Sequence, residues 1–310
     1  MKFQGRRQVS ARAGGGALLA AFVATTLLST SATASSHAAS STTTTQPVGS
    51  PITPGLVAYL RTRSDTVSIA VRDVFTNQTW TLNATQLYHA ASVAKVNLLA
   101  AFLNKLQATK MTMTPADRVR LSDMIINSNN VNADYFYVKV GSCDGLAAFN
   151  AQIPMPSTTP GCPHAHILGW GTTSTNVVDQ LTLFRLFMES NSLLTDASRT
   201  FGVNLLTHIT PAHRWGVTTG PPPGTVVAFK NGWSPLDSYQ NWEINSVGWV
   251  HGYHRFYQVA ILSSHNPSYG YGRVTVDTVA RSLWITMGAP HYFTTTTSNT
   301  TSTTTSGAGR

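Results

Sequence analysis

The chain has little charge, and glutamate and lysine are especially scarce. Charged residues make up 11% of its 310 residues, against about 25% in an ordinary soluble domain. This scarcity argues against a charge-rich coiled coil and against a nucleic-acid binder with a Lys/Arg stripe. Two residues are glutamate, Glu189 and Glu243. Any mechanism that needs a glutamate therefore has these two candidates.

An apolar run near the N-terminus, residues 17–28, is too short to span a bilayer as a helix. A positive segment with Arg6 and Arg7 precedes it, and small residues ending at Ala34 follow it. This order predicts a secretory signal over residues 1–34, cleaved near Ala34, with the general and twin-arginine export routes both open. Much of the formal charge of +9 then belongs to the signal. We expect no retained membrane span and no nucleic-acid partner.

Ser/Thr-rich segments with little apolar content lie on both sides of the central part of the chain. They lack the apolar surface that would offset the entropy cost of ordering them. The sequence therefore predicts a linker over residues 35–50, a folded domain over residues 51–290 and a disordered tail over residues 291–310. We expect the mature protein to be a monomer, secreted and extracellular or associated with the cell wall.

The chain has two cysteines, Cys143 and Cys162. In an exported protein a disulfide is favoured over two free thiols. The short loop that it closes gives a stabilisation of about 3 kcal/mol in the chain-entropy model. His164 and His166 follow, so a zinc site is the alternative, although this ligand set is compact and lacks a second pair. The sequence shows no cofactor motif, and we predict no metal site.

Hydrophobic periodicity predicts an α+β fold with an antiparallel sheet. Alternating apolar residues predict strands, and apolar residues three or four apart predict helices. In chain order the pattern gives two strands (65–83), a helical block (93–140) and a Gly/Pro/Ser/Thr-rich loop (141–173). Two helices (175–206), three strands (225–262) and a last helix (271–287) follow.

A serine and a lysine three residues apart, Ser92 and Lys95, lie at the start of the first helix of this block. Residues at this spacing share a helix face, so the lysine amine can reach the serine hydroxyl. A lysine in an apolar setting has a lowered pKa and can act as the base that a serine nucleophile needs. Alone, the pair is better explained as an ordinary helix start with a lysine extending from an apolar face.

Two further motifs follow, each of which has an ordinary structural explanation by itself. Ser128-Asn129-Asn130 comes just after a helix and resembles an Asn-rich helix end. Lys230-Asn231-Gly232 ends a strand and resembles an Asn-Gly turn. Together with the Ser92 motif they stand in the order S-x-x-K, S-x-N and K-x-G.

This order resembles the three signatures of the penicillin-recognising active-site serine enzymes, and most of all the class A β-lactamase-related hydrolases. The resemblance covers roughly residues 55–288. It implies a β-lactamase/DD-peptidase-like fold: a five-stranded antiparallel sheet flanked by helices, with a reduced all-helical subdomain. It further implies a β-lactam or peptidoglycan-type small substrate and acyl transfer through a serine ester.

The resemblance also implies a role for each matching residue. Ser92 would be the nucleophile, Lys95 its proton acceptor, and Ser128 the proton donor to the leaving nitrogen. Substrate would be bound by Asn130, Lys230, Asn231 and Gly232. The backbone N–H groups of Ser92 and Trp233 would form the oxyanion hole, where one donor is worth about 100–1000-fold in rate.

One departure from the family matters for function. Class A β-lactamases hydrolyse the acyl-enzyme with a glutamate from the loop between the second and third motifs, and residues 141–173 contain none. The remaining acids nearby, Asp144 and Asp179, are weak substitutes. We therefore predict acylation of Ser92 followed by slow deacylation. The alternative is a non-catalytic protein that binds cell-wall peptidoglycan with the same fold.

Overall fold

A computed structural model describes residues 49–163, 169–235 and 241–287 of the chain. The predicted signal peptide, nearly all of the linker, the tail and the two histidines of the zinc alternative lie outside these ranges. Within them, no helix is both long and apolar enough to cross a membrane.

The described ranges contain eight α-helices, six of which begin at a Thr, Ser or Asn side chain that accepts a hydrogen bond from the first turn, as Thr114 does from Asp117. The helices are α1 (Pro54–Arg61), α2 (Ala94–Ala108), α3 (Pro115–Ile126), α4 (Asn130–Val140), α5 (Ser142–Asn150), α6 (Val177–Met188), α7 (Asp196–Thr207) and α8 (Tyr269–Thr286). Short 3₁₀ turns lie between them at Ala91–Val93, Trp170–Thr172, Pro211–His213 and Gly216–Thr218.

Five strands form one antiparallel sheet with the order β2-β1-β7-β6-β5. A separate two-stranded ladder joins β3 to β4. The strands are β1 (Thr66–Asp73), β2 (Thr79–Leu82), β3 (Tyr88–His89), β4 (Ser174–Thr175), β5 (Val226–Pro235), β6 (Trp242–Gly252) and β7 (Arg255–Asn266). The predicted α+β class and five-stranded antiparallel sheet are thereby confirmed.

Helix α2 lies at the centre of the helical part and contacts α3, α4, α5, α6 and α7. All residues from Ala94 to Leu103 of this helix are buried, which explains its nearly continuous apolar sequence. Helices α6 and α8 pack against the sheet, and β5 contacts the 3₁₀ turn that precedes α2. The first turns of α2 thus lie between the sheet edge and the helical part.

Three elements were absent from the sequence prediction: α1, α5 and the β3–β4 ladder. Residues 142–150 fall in the segment predicted as a loop, yet they form α5 directly after α4. Gly141 separates these helices with a φ of +105°, a conformation that glycine adopts at little cost. The predicted disulfide is present: Cys143 in α5 is bonded to Cys162, with Cα atoms 5.0 Å apart.

Candidate active site

Ser92 lies in the 3₁₀ turn Ala91–Val93, between β3 and the first turn of α2. Ala91, the residue before it, has a φ of +47°, which is uncommon outside glycine. Such strained residues concentrate at functional sites. One turn later, the Nζ of Lys95 donates a hydrogen bond to the Oγ of Ser92 over 3.0 Å. The Ser-Lys spacing therefore brings the two groups into contact.

Lys95 has no exposed surface and its amine is surrounded by oxygen atoms. Besides Ser92 Oγ, the Nζ atom lies 2.6 Å from the Ser128 carbonyl, 3.1 Å from Ser128 Oγ and 2.7 Å from Asn130 Oδ1. Four acceptors surround a group that carries at most three protons. The first two motifs therefore meet at a single nitrogen.

Burial lowers the pKa of Lys95 to about 7, while the charge of Asp134 acts in the opposite direction. A fall from 10.5 to about 7 corresponds to about 5 kcal/mol in favour of the neutral amine. The Trp170 ring, whose centroid is 4.9 Å from Nζ, favours the ammonium by only about 0.5–2 kcal/mol. Desolvation is the larger effect, so much of Lys95 is a neutral base near pH 7.

Ser128 lies in the junction between α3 and α4 with a φ of +58°. Asn129 caps α4 by accepting a hydrogen bond from the backbone N–H of Asn132 over 3.0 Å. This cap fixes the short connection that presents the Ser128 hydroxyl to both Lys95 and Lys230. Asn129, the middle residue of the motif, thus has a structural role.

Lys230 lies on β5, has no exposed surface and donates to Ser128 Oγ over 3.0 Å. Its amine also reaches the carbonyl of Asn231 at 3.1 Å. Burial, and secondarily the charge of Lys95, hold the pKa of Lys230 well below its usual range. A bound anion would relieve both effects, so the site favours a substrate with a negative group.

The side chain of Asn231 is completely buried, on the strand position that follows Lys230. Its Nδ2 donates to the carbonyls of His213 and Trp215 at 2.9 and 3.0 Å, and its Oδ1 accepts from Ser246. Side chains alternate along a strand, so this amide lies on the opposite side of β5 from the Lys230 side chain and stabilises the strand there.

Gly232 lies directly against the turn that carries Ser92. A Cβ at this position would lie 2.6 Å from the carbonyl oxygen of Ala90 and 3.0 Å from the backbone nitrogen of Ser92. Only glycine allows the strand to approach so closely. The next residue, Trp233, is half-buried, and its ring lies 4.9 Å from that of His213.

Two residues near Lys95 were absent from the sequence prediction, Trp170 and Asp134. The indole Nε1 of Trp170 donates to Asp134 Oδ1 over 2.7 Å. Asp134 lies one helical turn after Asn130 on α4, and that spacing could have identified it. Trp170 comes from a distant loop, for which the sequence offers no comparable signal.

The acids considered as deacylation bases have other partners. Glu189 forms ion pairs with Arg72 and Arg185, both at 2.8 Å. Asp179 accepts hydrogen bonds from Ser157 and Thr158 and so fastens the segment before β4 to α6. Asp144 lies in the first turn of α5, beside the disulfide.

Glu243 is 3% exposed on β6, and it accepts a hydrogen bond from the backbone N–H of His89 over 3.4 Å. Burial raises the pKa of its carboxyl to about 8. Among the residues that the structure describes, no group of three or more His, Cys, Asp or Glu side chains could hold a metal ion.

Comparison with known proteins is consistent with this geometry. The model of the beta-lactamase enzyme family matches residues 55–131, which include the first two motifs. No curated protein matches the chain by sequence.

Solved class A β-lactamases share the fold. The TLA-1 extended-spectrum β-lactamase superposes with a TM-score of 0.67 at 18% identity, covering 76% of this chain and 97% of its own. A class A β-lactamase from Bacteroides cellulosilyticus gives 0.67 at 14% identity, with 77% and 97% covered. One from Mycobacterium abscessus gives 0.64 at 15%, with 76% and 98% covered. The chain therefore has the fold of the class A β-lactamases, and its residues 55–131 match the beta-lactamase enzyme family.

Proposed function

We propose that the protein is a secreted serine hydrolase or acyltransferase that forms an acyl-enzyme on Ser92. The observation that carries this proposal is the contact between Ser92 Oγ and the buried amine of Lys95 at 3.0 Å. A nucleophile and a base within hydrogen-bond distance are the minimum that serine catalysis requires. The substrates are β-lactams or D-Ala-D-Ala-like amides and esters.

Acylation begins when the neutral amine of Lys95 takes the Ser92 hydroxyl proton. The Oγ attacks the substrate carbonyl, an ester bond forms, and the C–N bond breaks. The departing nitrogen takes a proton from Ser128, which recovers one from the Lys95 ammonium 3.1 Å away. The N–H groups of Ser92 and Trp233 stabilise the oxyanion, since preorganised donors act strongly in a site shielded from water.

Lys230 has two tasks in this scheme. It becomes charged when the substrate carboxylate binds beside it, because the anion offsets the cost of burying an ammonium. Through its contact with Ser128 Oγ it also favours transfer of the hydroxyl proton. Asn130 holds the substrate amide and, with its Oδ1, the amine of Lys95.

Deacylation is slow in this proposal, because the Glu189 carboxylate is paired with arginines and Glu243 is buried on β6. The acyl-enzyme should accumulate in the presence of substrate.

The test is incubation with a fluorescent penicillin, followed over time by intact mass. A single adduct that forms on the wild type, persists for minutes or longer and is absent from Ser92→Ala supports the proposal. Fast catalytic turnover abolished by Ser92→Ala would refute slow deacylation but leave Ser92 as nucleophile. No adduct with penicillins or with D-Ala-D-Ala thioesters would favour a non-catalytic binding protein.

Export is part of the proposal, and a disulfide fits an oxidising compartment. Expression with residues 1–34 should give a mature protein in the medium or at the cell wall that begins near residue 35. Intracellular retention of the uncleaved chain would contradict this.

A further inference from the structure

The loop segment before β4 covers the amine of Lys95 with an aromatic ring. The 3₁₀ turn Trp170–Thr172 packs against the turn Ala91–Val93 that carries the nucleophile. The ring centroid of Trp170 lies 4.9 Å from Lys95 Nζ. At this position the loop therefore presents an apolar ring to the amine.

Asp134 fixes the orientation of that ring. Its Oδ1 accepts a hydrogen bond from the indole Nε1 of Trp170 over 2.7 Å. Asp134 and Asn130 lie on one face of α4, and Asn130 Oδ1 accepts from Lys95 Nζ over 2.7 Å. The helix therefore holds the lysine through one side chain and the ring above it through another.

The backbone around Trp170 is itself anchored. The carbonyl of Thr173 accepts a hydrogen bond from Ala90 over 2.8 Å, two residues before Ser92. A Cβ on Gly161 would lie 2.0 Å from the carbonyl oxygen of Gly169, so the two arms of the loop touch backbone to backbone. The Tyr137 hydroxyl donates to the Gly161 carbonyl over 2.7 Å. The ring is thus placed by the core and by α4.

We propose that Trp170, held by Asp134, is a positioning residue that keeps water away from Lys95 and from the ester on Ser92. This inference rests on the proposed acyl-enzyme and explains how its slow hydrolysis arises. Hydrolysis needs a water whose oxygen bonds to the ester carbonyl while its proton passes to a base and Ser92 Oγ leaves. The ring occupies space beside the Lys95 amine, and its indole engages the carboxylate of Asp134. The ring therefore keeps water away from a group that could accept its proton.

The decisive variant is Trp170→Ala in the full chain, acylated with a fluorescent penicillin and followed by intact mass. Removing the ring admits water beside Lys95 and frees Asp134. General-base assistance is worth about 100–10,000-fold, and an incompletely positioned water should recover part of it, so we expect about tenfold faster loss of the adduct. Trp170→Phe keeps a ring and should restore most of the lifetime.

Trp284→Ala is the matched control. This tryptophan also covers a cation, Arg255, with 4.1 Å between the guanidinium carbon and the ring centroid, but it lies on α8 near the β6–β7 turn. We expect its adduct to last as long as that of the wild type. A lifetime shortened equally in both variants would mean general loosening of the fold and would overturn the proposal.

The pH profile of acylation is the second readout. Hydration of Lys95 in Trp170→Ala should raise its pKa and move the midpoint of the profile to higher pH. Asp134→Asn keeps an acceptor for the indole but removes the charge that raises the pKa of Lys95, so its midpoint should move to lower pH. Unmoved midpoints in both variants would contradict the proposed contacts.

The outcomes separate this proposal from the function on which it rests. No adduct on the wild type would refute the acyl-enzyme itself. A wild-type adduct whose lifetime is unchanged in Trp170→Ala would refute the shield alone. Should Trp170→Ala fail to fold, Trp170→Gln decides: it keeps much of the volume but brings polar atoms that bind water beside the amine, and an unchanged lifetime there would equally refute the shield.

Discussion

Lys95 and Lys230 converge on one hydroxyl, with their Nζ atoms 3.1 and 3.0 Å from Ser128 Oγ. Both lysines are fully buried, and burial together with the charge of Lys95 lowers the pKa of Lys230. Two of the six lysines of the chain therefore face each other across one serine. This arrangement would be costly without a function, because an unpaired buried ammonium is strongly disfavoured.

The rate of Ser92 acylation should rise with pH through about 7, the pKa of Lys95. Below this value the amine is protonated and cannot accept the proton of Ser92. Single-turnover acylation measured from pH 5 to 9 checks this, with Lys105→Ala on the same helix as a control that keeps the midpoint. A flat profile with Lys95 intact would show that another group is the base.

Ser128→Ala should slow acylation by about 100-fold or more, within the range for loss of a positioned proton donor. The substitution also removes the oxygen between the two lysines, so the pH midpoint should fall as their amines repel each other. Ser122→Ala on α3 is the control, since its hydroxyl bonds only the Arg118 carbonyl in its own helix. Equal rates in Ser128→Ala and the wild type would remove Ser128 from the mechanism.

Gly232→Ala should separate β5 from the turn that carries Ser92, because its Cβ would meet the Ala90 carbonyl at 2.6 Å. We expect acylation to fall about tenfold or more as one oxyanion donor is displaced. Gly270→Ala provides a matched control, since nothing lies within 4 Å of a Cβ there. A Gly232→Ala enzyme with wild-type acylation would contradict the tight contact between the strand and the turn.

Glu243 should make the folded state less stable as pH rises from about 4.5 to about 8. Burial raises the pKa of this carboxyl in the folded state, so its full contribution to stability is present at low pH. The contribution is lost as pH rises, because the carboxyl ionises in the unfolded chain while it stays neutral in the folded one. The loss is a few kcal/mol at most, about 1.4 for each pH unit of the interval.

The measurement is urea unfolding at pH 5 and pH 8 for the wild type and for Glu243→Gln. The difference in unfolding free energy between the two proteins isolates Glu243 from Lys95, whose lowered pKa acts in the opposite sense above pH 7. An identical pH dependence in both proteins would mean that the Glu243 carboxyl is not desolvated.

The sequence predicted those features of the site that follow from local geometry. Ser92 and Lys95 meet because they lie three positions apart where a helix begins. Asn231 faces away from Lys230 because successive side chains alternate along a strand. Its assignment to substrate binding stays a prediction. The contact of Trp170 with Lys95 has no such local cause. It depends on how a loop closed by Gly161 and Gly169 returns to the core.

The same distinction applies to the fold. The strands and long helices have clear hydrophobic periods, and the predicted sheet is confirmed. Helix α5 has nine residues, begins after a glycine and carries Gly145 in its second turn, so propensity alone does not favour it. Its buried Leu146 and Phe149 pack against the core, and the Cys143 disulfide holds its start. Tertiary contacts therefore decide this helix.

The most direct test of the central claim is the location of the covalent adduct. The protein is treated with penicillin at pH 8, quenched in acid, digested and mapped by mass spectrometry. The account predicts one acylated peptide modified at Ser92, and no acylation in Ser92→Ala or in Lys95→Ala at the same exposure time. Acylation at another residue, or unchanged labelling of Ser92→Ala, would contradict it.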